Sequence, residues 1–299
     1  MKDFAGRTAF VTGGANGIGI GLVRALLAEG CNVAIADIRK ESIDAALKSL
    51  PGARVMGVQV DVASREAMAR AADTVEAKFG PVSLLFNNAG INLFQTIEES
   101  SYDDWDWIMG VNLHGPINGV MTFVPRMIAA GQGGYVVNTA SMAAFLAAGT
   151  PGIYNTTKFA VRGMSESLRG SLAQHGIGVS VLCPGLVKSY IYASDDIRPD
   201  ALKAGAKPVD TENVKRLAEI HEFGMEPDVL AARVLEAMRE NRFYIFTHPE
   251  FRDELRELFD GILQDFRDYP ADAGHEKRTG FEKMRRESYN QQRRGLKAS

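Results

Sequence analysis

The sequence predicts an α/β protein: one doubly wound parallel sheet, carried in a single domain with a helical C-terminal extension. Three observations predict it. Short β-branched apolar runs alternate with longer stretches of helical period. The runs are nearly continuous in apolar residues, as strands covered on both faces must be. A cluster of glycines sits between the first run and the first helical stretch.

In order, the strand-like runs are 8–12, 32–37, 54–60, 82–86, 135–139 and 178–182. Helical patterns lie between them at 18–29, 40–49, 65–79, 103–130 and 153–175. Strand–helix alternation requires crossover connections, and crossovers give a parallel sheet with helices on both sides. Beyond residue 185 the pattern changes. The stretch 188–214 is polar, carries Pro199 and Pro208 and lacks a clean period, so a loop or lid over about 188–225 is expected. Residues 226–240 are again helical, 243–247 reads as a last strand and 250–266 as an amphipathic helix. The catalytic domain is thus expected over 1–268 and a polar tail over 269–299. From residue 275 onward the tail holds eight Lys/Arg against three Glu, which suits a solvated helix, a disordered end or an arm packed on another subunit.

Bulk properties exclude several classes. The chain has 299 residues, 45% hydrophobic and 24% charged, a soluble globular balance. A net charge of −3 gives no global attraction to nucleic acid or membrane. Apolar runs are broken well before the ~18 residues of a membrane span, and the first residues lack an apolar leader, so a cytoplasmic protein is expected. Two cysteines, Cys31 and Cys183, make no disulfide framework. Five histidines show no metal-ligand spacing, and no metal is expected.

The chemistry is written at the strand ends. The first strand runs into Gly13-Gly14-Ala15-Asn16-Gly17-Ile18-Gly19, spaced G-x-x-x-G-x-G. Glycines there let backbone approach a pyrophosphate, and the following helix N-terminus offers free N–H groups. The second strand ends at Asp37, followed by Ile38. A carboxylate there accepts from adenosine ribose hydroxyls and repels a 2′-phosphate, which favours NAD over NADP; Arg39 nearby is the opposing signal. Asp61-Val62 ends the third strand, where an adenine ring would lie, and Asn87-Asn88-Ala89-Gly90 ends the fourth. Ligands bind at these carboxyl ends in a doubly wound, Rossmann-type sheet.

Tyr154 and Lys158 stand one helical turn apart on one face. A free phenol has a pKa near ~10, too high for a base at neutral pH, and a neighbouring ammonium is expected to lower it. Ser141, after the fifth strand, can donate to a substrate oxygen, although a serine there also serves as a helix cap. Asn112 can kink the fourth helix by binding backbone, or hold a water. Together these are the parts needed to deprotonate an alcohol while hydride leaves its carbon.

At these residues the chain resembles the short-chain dehydrogenase/reductase family over about 6–190. The resemblance implies a catalytic tetrad of Asn112, Ser141, Tyr154 and Lys158, with Lys158 also gripping the nicotinamide ribose. It implies that Pro184, Gly185, Val187 and Ser189 hold the nicotinamide amide; the family usually has Thr where this chain has Ser189. It also implies a homodimer or homotetramer through the helices near 103–130 and 153–175. The stretches 102–107, 119–127 and 184–192 and the extended C-terminus look like the bacterial Cα-dehydrogenases of lignin β-aryl ether breakdown, which oxidise a benzylic secondary alcohol with NAD. Phe94, Met142, Phe145, Tyr190, Ile191 and Tyr192 flank the expected nicotinamide end, either as an aryl pocket or as ordinary packing. Trp105 and Trp107 read as helix packing. A steroid or hydroxyacyl dehydrogenase remains an alternative substrate reading, and a non-catalytic NAD(H)-sensing module an alternative of another class.

Overall fold

The structure is a computed structural model that describes residues 1, 3–50, 52 and 54–298, with side chains as far as Asn290. It has seven parallel strands: β1 (Thr8–Thr12), β2 (Asn32–Asp37), β3 (Val55–Gln59), β4 (Val82–Asn87), β5 (Gly134–Thr139), β6 (Ile177–Cys183) and β7 (Tyr244–Phe246). Their order across the sheet is β3-β2-β1-β4-β5-β6-β7. The order reverses between β1 and β4, which opens a crevice at their carboxyl ends.

One face of the sheet carries α1 (Gly17–Ala28), α2 (Lys40–Ser49) and α8 (Pro227–Arg239), whose Leu22, Leu26, Ile43, Leu230, Val234 and Met238 share one buried apolar cluster with the sheet, α8 lying against α1, β6 and β7. A Cβ at Gly21 would stand 2.5 Å from the Pro227 carbonyl oxygen, so glycine is what lets α1 and α8 approach. The other face carries α3 (Arg65–Phe79), α5 (Gly115–Ala130) and α6 (Gly152–Leu172). There Met68, Val75, Phe123, Met127 and Leu172 pack on Phe10, Leu85 and Val136. Phe10 and Phe123 meet with ring centroids 4.6 Å apart. Each such buried side chain contributes roughly 1.5–3 kcal/mol, against at most about 1 kcal/mol for an exposed pair such as Lys40–Asp44. Apolar burial on both faces therefore holds the strand ends in place.

Two expected elements differ. The helix expected over 103–130 is α4 (Tyr102–Met109), a π-helical segment Gly110–His114 and α5. The segment expected to be an irregular loop contains 3-10 turns at Ile191–Ile197 and Asp200–Leu202 and a regular helix, α7 (Thr211–His221). Asp210 caps α7 by accepting from the Asn213 N–H, a start signal that the preceding proline-rich stretch obscures. None of its residues is buried, so its apolar positions leave only a weak core stripe.

The chain divides into two compact units, Met1–His248 and Pro249–Ser299. The second contains a 3-10 turn at Pro249–Phe251, α9 (Arg252–Gln264) and α10 (His275–Ala298). Among the described residues no helix is long and apolar enough to cross a membrane.

Candidate active site

The crevice between β1 and β4 is closed by hydrogen bonds that the strand ends make with each other. Thr12 Oγ1 donates to the Phe86 carbonyl (3.2 Å) and accepts from the N–H groups of Asn88 (2.9 Å) and Ala89 (3.0 Å). Asn88 Nδ2 donates back to the Thr12 carbonyl at 3.1 Å. Next to them Asn87 Nδ2 donates to Asn138 Oδ1 (2.8 Å), and Asn138 Nδ2 to Ser165 Oγ (2.9 Å), a fully buried polar line from β4 to α6. Asn138 and Asn118 are not singled out by the sequence. Asn118 on α5 donates to the Val62 carbonyl at 2.8 Å and so fixes the turn after β3.

The glycine loop packs as backbone on backbone. Gly13 and Gly17 have φ of +60° and +49°, which only glycine adopts freely. A Cβ at Gly13 would lie 2.9 Å from Ala89 Cα, and one at Gly19 would lie 2.0 Å from the Gly13 carbonyl oxygen. One at Gly17 would meet Ser189 Cβ at 3.1 Å, so the chain after β6 passes over the loop. Asn16 starts α1 without a side-chain bond to it, which leaves the first-turn N–H groups of α1 facing the crevice end. At the tip of β2, Asp37 Oδ2 accepts from the Ala15 N–H (3.3 Å) and Oδ1 from the Arg39 N–H (3.2 Å). The carboxylate is therefore fixed beside the glycine loop, with Ile38 exposed next to it. Asp61 is exposed and accepts from the Ala63 N–H (2.9 Å), while Val62 is buried.

Asn112 occupies the π-helical segment between α4 and α5. Its Oδ1 accepts from the Ile91 N–H and its Nδ2 donates to the Ile91 carbonyl, both at 2.8 Å. This is the backbone-binding kink expected of it. A Cβ at Gly90 would stand 3.5 Å from both Asn112 Oδ1 and Lys158 Nζ, so the three meet where β4 ends.

Ser141 opens the 3-10 turn Met142–Ala144. Its Oγ accepts from the Ala143 N–H (3.1 Å) and lies 3.5 Å from the Pro184 carbonyl. It caps the turn and also bonds to the Tyr154 phenol. Tyr154 and Lys158 follow on α6. Lys158 is buried, donates to the Thr139 carbonyl at 3.0 Å, and sits 5.1 Å from the centroid of the Tyr154 ring.

The electrostatics correct one expectation. Burial pushes the Tyr154 phenol up, and the Ser141 hydrogen bond opposes it. Burial lowers the Lys158 ammonium to about 8, with Cys183 opposing weakly.

The chain after β6 carries Pro184, Gly185, Val187 and Ser189. The Pro184 carbonyl accepts from the Met142 N–H at 2.9 Å, which joins this segment to the serine turn. Of the aromatic candidates, Phe94 is half-buried and Tyr190 is 66% exposed, its ring 6.2 Å from Tyr192. Tyr192 in turn packs on His221 of α7 at 5.1 Å. Met142 is buried. Phe145 is buried against Tyr244 and Phe246 of β7, with the Arg162 guanidinium 4.0 Å over its ring. That is packing beneath the sheet's edge, the plainer of its two expected roles.

The segment 191–202 is pinned rather than loose. Arg198 and Asp104 form an ion pair at 2.7 Å with side chains 4% and 1% exposed. The guanidinium also bonds Asp195 and the Leu202 carbonyl, and lies 4.6 Å over Trp107. Trp107 thus packs as expected, but against the loop as well as the core.

Comparison with known proteins agrees with this geometry. The family model described as short chain dehydrogenase matches residues 7–198, more than half of the chain. The chain belongs to the short-chain dehydrogenase family. This short-chain dehydrogenase is 41% identical over 266 residues to the C alpha-dehydrogenase of Sphingobium sp. (strain NBRC 103272 / SYK-6), covering 88% of this chain and 87% of the relative. A solved structure described as a short-chain dehydrogenase from Novosphingobium aromaticivorans is 61% identical, with a TM-score of 0.87, over 99% of this chain and 100% of that one. A short-chain dehydrogenase/reductase from Burkholderia phymatum, solved in complex with NAD, is 34% identical with a TM-score of 0.84, over 91% and 100% of the two chains.

Proposed function

We propose that this short-chain dehydrogenase uses NAD⁺ to oxidise a benzylic secondary alcohol of the aryl-glycerol β-aryl ether type to the aryl ketone. The observation that carries the chemistry is the convergence of Ser141, Tyr154, Lys158 and Asn112 at the ends of β4 and β5, beside the glycine crevice. The substrate class rests on the 41% identity to a C alpha-dehydrogenase.

The residues present fit a dinucleotide. Gly13, Gly17 and Gly19 form a cradle that a Cβ would fill, and Asp37 is held facing it by the Ala15 N–H. A fixed carboxylate there suits two ribose hydroxyls and repels a 2′-phosphate, which favours NAD over NADP. The adenosine end is then assigned to Asp37, Ile38, Asp61 and Val62. The pyrophosphate falls to Asn16–Gly19, and the nicotinamide end to Asn88–Gly90, Lys158, Pro184, Gly185, Val187 and Ser189.

Bound nicotinamide supplies the acceptor for the hydride that leaves the carbinol carbon. The chain's own residues manage the proton. Ser141 holds the substrate oxygen by donating to it, and the Tyr154 oxygen takes the hydroxyl proton as the carbonyl forms. Lys158 places its positive charge 5.1 Å from the ring centroid, where it favours the phenolate form that takes this proton against the burial that raises the phenol. Asn112 holds the Ile91 backbone against the site and keeps the π-helical bend that brings it there.

The test is steady-state kinetics at 340 nm with NAD⁺ and NADP⁺ against resolved aryl-glycerol β-aryl ethers, steroid alcohols and hydroxyacyl substrates. Ketone formation is expected with NAD⁺ and the aryl ethers; faster turnover of a steroid or hydroxyacyl alcohol would replace the substrate class. Asp37→Ala is expected to lower the NAD⁺:NADP⁺ ratio of kcat/KM by about tenfold or more, the worth of a hydrogen bond to a charged group. An unchanged ratio would take cofactor choice away from Asp37.

A further inference from the structure

His248 follows β7 and is buried, yet it belongs to none of the groups placed in the site so far. Both of its ring nitrogens are engaged by one short piece of backbone. The Gly185 N–H donates to Nδ1 at 3.0 Å, and Nε2 meets the Leu186 carbonyl at 3.0 Å. A carbonyl only accepts and a peptide N–H only donates, so the two partners select one tautomer: Nδ1 bare, Nε2 protonated. The Thr247 hydroxyl lies 2.8 Å from Nδ1 and in this tautomer donates to it as well.

The peptide so gripped reaches the catalytic turn. Gly185 N–H and the Pro184 carbonyl belong to one planar unit, and that carbonyl accepts from the Met142 N–H (2.9 Å) beside Ser141 Oγ (3.5 Å). The imidazole therefore holds one end of a rigid plate whose other end rests on the serine turn. The Leu186 carbonyl is shared with the Met225 N–H at 2.9 Å, and Val187 bridges to Met225, so the next residues are fixed from α8's side too.

We propose that His248 is a positioning residue for the nicotinamide end of the site, its ring holding the Pro184–Gly185–Leu186 backbone in register with Ser141. The proposal rests on the NAD reading above, because it assigns a ligand to that segment. No other side chain reproduces the grip: a rigid ring offers an acceptor and a donor on two edges, whereas Asn offers only the nearer acceptor and Phe neither.

Three variants separate positioning from simple stability. In His248→Phe the buried Gly185 N–H loses its acceptor, and NADH affinity, read by fluorescence titration, is expected to fall about tenfold. ADP-ribose, which occupies the crevice without a nicotinamide, is expected to bind within about twofold of wild type, because Asp37 and the glycine loop stand apart from His248. His248→Asn keeps an acceptor near the Nδ1 position and is expected to recover most of the NADH affinity. His248→Gln, whose amide reaches toward the Nε2 position instead, is expected to recover less. A merely structural histidine would weaken both ligands together, and equal losses would overturn the proposal. So would a Phe variant no different from Asn. Amide exchange at Gly185 in the cofactor-free protein gives an independent arm: faster in His248→Phe, slow in wild type and in His248→Asn. Fast exchange at Gly185 in wild type would remove the hydrogen bond on which the proposal stands. Wild-type protein that bound ADP-ribose but not NADH would instead overturn the NAD reading, and the exchange arm tells the two failures apart.

Discussion

Tyr154→Phe is expected to lower kcat for alcohol oxidation by about a thousandfold while NADH affinity stays within about twofold of wild type. General base catalysis is worth roughly 10²–10⁴ in rate, and this substitution removes one oxygen and little else. The ring that lies over Lys158 remains, and Lys158 keeps its bond to the Thr139 carbonyl. Neither the glycine loop nor Asp37 touches the phenol. Ser141 loses one partner but still accepts from the Ala143 N–H, so the serine turn keeps its shape. The expected signature is a loss in kcat and kcat/KM together, with substrate KM nearly constant, as for a group that acts only in the transition state. Steady-state kinetics alongside a fluorescence titration of NADH separates the two quantities. Turnover retained within tenfold would take Tyr154 out of the mechanism and bring back the NAD(H)-sensing alternative.

The sequence carried the strand ends well because their signals are local. Each strand is a continuous apolar run, and each functional residue is its last residue or lies one or two positions beyond: Asp37, Asn88, Ser141, Gly185. For Asn112 the sequence left bending of the helix and a held water both open, and its bonds to the Ile91 backbone, made from the π-helical segment, are a pairing the sequence does not announce. What escaped was pairing at a distance. Thr12 meets Asn88, Asn118 meets Val62 and Arg198 meets Asp104 across 56 to 94 positions, and nothing near any of them announces its partner. The direction of Lys158 escaped for a related reason. Four-residue spacing puts Tyr154 and Lys158 on one face, but it is the Thr139 carbonyl, on another element, that takes a hydrogen bond from the ammonium. Phe145 shows the converse: its place in the chain left a pocket wall and ordinary packing both open, and contacts with Tyr244, Phe246 and Arg162 on distant elements are what the sequence could not supply.

Arg198→Met is expected to loosen the segment 191–202 and to raise KM for a bulky alcohol while leaving NADH affinity unchanged. Asp104 Oδ2 is well supplied, by the Ser101 N–H (2.8 Å), the Ser101 hydroxyl (2.9 Å) and the Gln95 amide (2.9 Å). Oδ1 faces Arg198, so methionine fills the space of the stem and strands half a carboxylate. Removing one partner of a buried pair costs about 3–5 kcal/mol. The loss is capped by the cost of letting residues 191–202 swing out, after which Asp104 regains water. Opening of that segment is therefore the expected response, seen as faster tryptic cleavage at Lys203 and a melting temperature lower by several degrees. The Gly205 N–H to Asp103 (2.9 Å) and Lys207 to Glu99 (3.2 Å) contacts are too exposed to hold the segment alone. The pH dependence follows from the carboxyl. Burial raises its pKa, but the Ser101 backbone, the Arg198 guanidinium, Gln95 and the Ser101 hydroxyl outweigh burial and hold Asp104 below the ordinary carboxylate value. A depressed pKa contributes stability that is complete above the unfolded value near ~3.9 and is lost as pH falls through the folded one. In wild type the clamp is thus indifferent to pH from neutrality down to about 5 and releases only in stronger acid. In Arg198→Met the largest stabiliser of the charge other than the Ser101 backbone is gone, so protonation relieves the stranded carboxylate. The stability gap between the two proteins is expected to be widest at neutral pH and to close as acid is added. Thermal melts at pH 7 and pH 4.5 test this: a gap that grows on acidification would mean that the Asp104–Arg198 pair does not hold the segment.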